Sequence, residues 1–189
     1  YSSTSQTGVA GVGFGLSAAS VITRCARTEA VDGFIAAPSY GADDAFCLDG
    51  ARLVPEAPGS HVYRTSTESH LIATAHMEGP VTGGPASWTV QFPNGTVSHF
   101  GRKADLNSRA YLSSGTTVAY WLESDSDDSF GNLIDYRWDP PQYPASTEET
   151  LPRSLLRRIH YGGHLDGSPH RYEVRFSYDA GPYPVRTGY

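Results

Sequence analysis

Two cysteines, seven histidines and one acidic run are the residues whose types could do chemistry in this chain of 189 residues. Cys25 and Cys47 lie 22 residues apart, in the blocks ITRCART (22–28) and FCLDGARL (46–53). A thiol redox centre would show Cys-x-x-Cys, and a zinc site would need further ligands at close spacing; neither pattern is present. Two structural roles stay open. A disulfide closing this loop stabilises by roughly 3 kcal/mol in the chain-entropy picture, whereas two buried thiols would pack as small hydrophobes. Export of the protein favours the first and a reducing cytoplasm the second.

No metal or other cofactor is expected. His160, His164 and His170 cluster in sequence, as do His61, His70 and His76, but without the short fixed spacings and carboxylate or thiolate that zinc wants. His160 and His164 are the nearest approach to such a site. Asp125, Asp127 and Ser129 place alternate oxygens as in the first half of a calcium loop, yet Tyr136 stands where the closing bidentate Glu belongs. Gly11, Gly13 and Gly15 in GVAGVGFGL (8–16) superficially resemble a phosphate loop. The strand before and the helix after that such a loop requires are missing, so close backbone packing in a Gly-rich strand is the better account. There is no Gly-x-Ser-x-Gly elbow, and Glu148-Glu149 shows no sign of burial, so no catalytic residue is assigned.

The elements that must position these residues are strands. Tyr, Thr, Gly, Ser and Pro are abundant and Met nearly absent, the profile of a turn-rich β protein. SWTVQF (87–92) puts Trp88, Val90 and Phe92 on one face, and Asn94-Gly95 turns the chain into VSHFG. TTVAYWLES (116–124) reads as a buried strand, DSDDSFGN as a turn and LIDYRW (133–138) as the return. LLRRIHY (155–161) and RYEVRFSYD (171–179) make a further pair around GGHLDGSPH, with Tyr172, Val174, Phe176 and Tyr178 on a packed face and Arg171, Glu173, Arg175 and Ser177 on a wet one. Asp49-Gly50 is a further turn former. A short helix is expected only at 147–156. The fold class is therefore all-β: consecutive antiparallel hairpins forming a curved sheet or shell segment, with very little helix.

The net charge of −6 and pI near 5.6 argue against nucleic acid or an anionic membrane as partner. No run reaches the length of a membrane-spanning helix, and no secretory leader opens the chain. The abrupt start and end suggest a piece of something larger. Thirteen of the fourteen basic residues are Arg, Lys103 being the exception. Arg24 and Arg27 flank Cys25 and are expected to pair with carboxylates such as Asp49.

The order of motifs resembles the SpvB-type domain that opens the B components of insecticidal Tc toxin complexes and related Rhs-like virulence proteins. The likeness runs through YSSTSQTGVAGVGFGLSAASVITRCART, DDAFCLDGARLV and YRTSTESHLIA to WTVQFPNGTVSHFG, FGNLIDYRW, RRIHYGG, YEVRFSYD and the closing VRTGY. It covers essentially the whole chain, so 1–189 is one domain, after which relatives usually lead into a β-propeller region. Phe14 departs from the Trp that relatives tend to carry, and the acidic stretch 123–128 is longer than theirs.

The resemblance implies a secreted, non-enzymatic structural domain of a bacterial toxin complex. It would contribute to the β-shell that encloses or presents a C-terminal effector, with the rest of its own polypeptide and other toxin components as partners and no membrane insertion by this segment. The alternative is a carbohydrate- or receptor-binding module, for which Trp88, Trp121, Trp138 and the twelve tyrosines could supply a stacking platform.

Overall fold

The computed structural model describes residues 18–102, 107–112, 115–140 and 154–178. Gly11, Gly13, Gly15, Lys103, Glu148 and Glu149 lie outside them. In chain order the elements are β1 (Val21–Cys25), α1 (Glu29–Asp32), β2 (Ala45–Leu48), β3 (Ala51–Pro55), β4 (Val62–Thr65), β5 (Ile72–His76), β6 (Ser87–Gln91), β7 (Val97–Phe100), β8 (Arg109–Tyr111), β9 (Val118–Asp127), β10 (Asn132–Trp138), β11 (Leu156–His164) and β12 (Tyr172–Arg175). All the strands belong to one antiparallel sheet, as the alternating sequence and short turns require.

That sheet closes on itself. Strands β1 to β7 pair in succession, β7 pairs with β9, and β9 returns to β1 through Val21↔Leu122 and Thr23↔Tyr120. Closure covers the edges that β1 and β7 would expose in a curved open sheet. It is possible because β9 is ten residues long and serves two partners on each edge. Its first half pairs with β1 and β8, its second with β10 and β7. The changeover coincides with a bulge: His99 faces Asp125 and Phe100 faces Glu123, leaving Ser124 unmatched. The Ser124 hydroxyl accepts the Arg102 N–H and donates to Ser108 Oγ.

The ring is filled by side chains from alternate positions, among them Ile22, Leu53, Val90, Phe100 and Val118. Phe46 meets Tyr63, Trp88 and Trp121 edge-on at ring centroid distances of 6.2, 5.0 and 5.6 Å. Each such contact adds about 0.5–1.5 kcal/mol beyond area burial. Trp88 and Val90 share the buried face that their spacing predicts. The β6–β7 hairpin turns at Asn94-Gly95, where Gly95 takes φ 85° and the Asn94 side chain accepts the Thr96 N–H.

Strands β10 to β12 continue beyond the ring as an extension from the second half of β9. Three expectations change here. Asp125 is not in a turn: Ser126 and Asp127 continue β9 with it, and the turn is confined to Asp128–Gly131. The acidic run tolerates a strand because Arg102 and His99 lie beside its carboxylates. The helix expected at 147–156 falls mostly outside the described residues, and its described end is extended, with Leu156 opening β11. The face of β12 expected to be packed is exposed, with Tyr172 at 59% and Val174 at 42% of full accessibility.

Candidate functional site

The β1–β2 corner carries a dense set of fixed polar groups. Cys25 and Cys47 are bonded to each other, with 5.9 Å between their Cα atoms. They occupy diagonal positions on paired strands, Cys25 facing Ala45 and Cys47 facing Thr23. The disulfide encloses the connection holding α1, whose Gly33 closes the helix in the left-handed conformation.

Arg24 does not pair with Asp49. Its Nη1 lies 2.9 Å from Asp44 Oδ2 and 2.7 Å from the Gly41 carbonyl, while Nη2 donates to Gly83 and Nε to Val118. The guanidinium also lies over the rings of Phe46 and Trp121, at 5.6 and 5.5 Å. Each nitrogen of this buried cation thus donates to a partner, as burial demands. Burial alone would raise the Asp44 carboxyl, but donation from Ser39 and Arg24 outweighs it and holds that group below its ordinary range.

Arg27 pairs instead with Asp32, which also receives Arg52 at 2.7 Å, and it reaches the Asp43 carbonyl. For Asp32 too, burial opposes ionisation and is overcome by the Thr28 N–H and Arg52. Asp49, with φ 47°, and Gly50, with φ 85°, make the β2–β3 turn. The Asp49 carboxylate accepts the Val21 N–H at 2.9 Å, so it anchors the start of β1 rather than neutralising an arginine.

A second group lines the inner side of β9. Glu123 is buried, and its carboxylate accepts the Ser20 N–H at 2.9 Å and the Ser98 hydroxyl at 2.8 Å. Both donors are neutral. Burial therefore pushes the Glu123 acid up, helped by the charges of Asp49 and Asp125. Burial, with the nearby Glu123, also pushes the Tyr136 phenol up to about 12.

On the outer face, His76, Thr89 and His99 form a hydrogen-bonded row, and His99 Nε2 lies 3.8 Å from Asp127. Burial lowers the His99 imidazole from its ordinary value, and Arg102 lowers it further, against the raising effect of Asp125 and Asp127. Farther along, His160 lies between Glu173, at 2.8 Å, and Asp135, at 3.8 Å.

The cation-binding candidates are dispersed by this arrangement. Asp125 pairs with Arg102 and Asp127 lies 3.8 Å from His99, both on a strand, while Ser129 sits in the turn beyond. That turn is closed by Asp128, whose carboxylate accepts the N–H groups of Phe130 and Asn132. His164 bridges two hairpin tips. Its Nδ1 accepts the Asp166 N–H, so Nε2 donates to the Phe130 carbonyl at 2.8 Å. Among the described residues no group of three or more His, Cys, Asp or Glu side chains is placed to hold a metal ion. Sequence reasoning missed Asp32, Asp44 and Glu123, since Arg52 of β3, Arg24 of β1 and Ser98 of β7 are brought to them only by the fold.

No protein-family profile matches the chain, and neither does any curated protein. Solved structures do. A chain of the Photorhabdus luminescens Tc holotoxin pore superposes with a TM-score of 0.60 at 22% identity, covering 83% of this chain and 8% of its own length. The TcdB2-TccC3 crystal structure matches with a TM-score of 0.54 at 23% identity, over 76% of this chain and 8% of that one. The N-terminal domain of the effector SpvB from Salmonella typhimurium matches with a TM-score of 0.53 at 20% identity, over 82% of this chain and 55% of that one.

The fold is SpvB- and Tc-toxin-like. Within the ring, the structure brings together the cysteine pair, Arg24 with Asp44, and the Asp49 turn with β1. The chain spans 8% of the Tc holotoxin chain that it matches, so the SpvB-like fold is a small part of that much longer polypeptide.

Proposed function

We propose that the chain is a non-enzymatic structural domain of a secreted bacterial toxin complex, forming part of the β-shell that encloses or presents a C-terminal effector. The likeness over 83% of the chain to the Tc holotoxin pore structure carries this reading. The polar groups support it, since they serve architecture: Arg24 and Asp44 neutralise each other, His164 joins hairpin tips, and Cys25 and Cys47 form a bond suited to an oxidising exterior. The partners are the remainder of the same polypeptide and the other toxin components. A sugar-binding platform has less support, because Trp88 and Trp121 are fully buried in the core.

Protease protection on the full-length polypeptide that carries this chain tests the proposal. A C-terminal segment that resists digestion until mild acid or denaturant opens the particle is the expected result. A C-terminus cut at once while residues 18–178 stay intact would remove the enclosure role.

A further inference from the structure

Strand β12 is amphipathic, yet both its faces are in the open. Tyr172 stacks on Tyr161 of β11 with ring centroids 5.1 Å apart, and Tyr161 is itself 39% exposed. The register shows which face this is. Val90 faces Ser98, Ser98 faces Ser126, and Ser126 faces Ile134. Two residues along β10, Tyr136 faces Ile159, which in turn faces Val174. Paired residues lie on the same side of a sheet, so the layer that forms the core of the ring runs out along the extension and ends, uncovered, at Tyr172 and Val174.

The edge of β12 has a matching property. Among the described residues β12 pairs with β11 alone. The Phe176 N–H donates to the Arg157 carbonyl, which fixes the alternation of the ladder. The N–H groups of Tyr172 and Val174 therefore turn toward β11, and those of Glu173 and Arg175 turn outward. Edges that stay in solvent are usually blunted by Lys, Pro, a bulge or a charge on the apolar face. β12 has no Lys or Pro, and its two charges stand on the polar face, where Glu173 holds His160 and Arg175, each at 2.8 Å.

The geometry points to β12 as the seat of an added strand. The occupant is an extended segment of the same polypeptide outside residues 1–189, apolar at alternate positions, hydrogen-bonded to the outward edge and extending the Tyr172–Val174 row. This inference rests on the proposed function in taking the chain as part of a longer polypeptide. It draws on the lengths of the matched chains, of which this one spans 8% and 55%. A strand in the same polypeptide also has a high effective concentration at the edge, an advantage that a second copy lacks.

Residue-resolved amide hydrogen exchange on the full-length polypeptide tests the inference. The Glu173 and Arg175 amides are expected to exchange at least about 100-fold more slowly than unstructured ones. Arg175→Pro removes one outward donor and spares the bonds to β11. It should release the Glu173 amide together with a second segment outside residues 1–189. Should that variant fail to fold, Val174→Lys, which places a charge in the apolar row, should release the same two segments. Unprotected Glu173 and Arg175 amides in the full polypeptide would overturn the proposal. So would a released segment confined to residues 179–189, or protection that rises with protein concentration, which would mark a second copy as the occupant. Failure of the shell reading is separable: protected β12 amides beside a C-terminus that is cut at once remove enclosure and leave strand addition standing.

Discussion

The Arg24 guanidinium and the Asp44 carboxylate meet at 2.9 Å with 1% and 5% of their side chains exposed, which makes them a buried ion pair. Such pairs contribute little net stability over apolar replacements, but removing one partner leaves an uncompensated charge in the interior. Arg24→Ala should therefore destabilise by about 3–5 kcal/mol, measured as the shift in a urea midpoint with unchanged slope. A loss below about 1 kcal/mol would mean that solvent reaches Asp44 easily.

The Cys25–Cys47 bond gives a second expectation. Cys25→Ser with Cys47→Ser should lower stability by roughly 3 kcal/mol, and reductant should bring the unaltered chain to about the same level. A reductant effect without a matching effect of the substitutions would place the sensitivity elsewhere.

Acidification should weaken the fold through His99. Its folded-state value is lowered, chiefly by burial, so the unfolded chain binds the proton more readily. Stability from this group is present above the unfolded value of about 6.5 and is lost as pH falls through the folded value. The slope cannot exceed about 1.4 kcal/mol per pH unit for one proton. His99→Gln should flatten the stability–pH curve just below about pH 6.5; an unchanged slope would exclude His99 as its origin.

Glu123 works in the opposite sense. Its folded-state value is raised, chiefly by burial, so the folded chain holds the proton more readily. That contribution is fully present below the ordinary value of about 4.5 and disappears as pH rises through the folded value. Glu123→Gln should accordingly gain up to about 1 kcal/mol at neutral pH, and the gain should vanish below about pH 4.5. Thermal melts of both proteins under acidic and neutral conditions would decide it.

The local parts of this architecture were legible in the amino-acid order. Trp88 and Val90 alternate with polar residues and Asn94-Gly95 follows, so the β6–β7 hairpin could be read directly. Closure of the ring could not, because Val21 meets Leu122 from the far side of the chain and no periodicity encodes that meeting. The partner of Arg24 was hidden by something other than distance, since Asp44 is only 20 residues from it in the chain. Asp44 and Asp49 both lie close to Cys47 in the chain, and it is the fold that selects Asp44 and recruits the carbonyls of Gly83 and Val118. The alternation at Tyr172 and Val174 was visible too. Amphipathicity states that a face needs cover, and it is silent about where that cover lies.

β9 is a member of the ring and of the extension at once, and this has a mechanical corollary. A load applied to β10–β12 along the strand direction is carried straight into β9. Its hydrogen bonds to β1, β7 and β8 then lie side by side under shear, so they must yield together instead of unzipping one at a time. The shared strand acts as a tie-rod, and the ring anchors whatever pulls on the open side of the sheet.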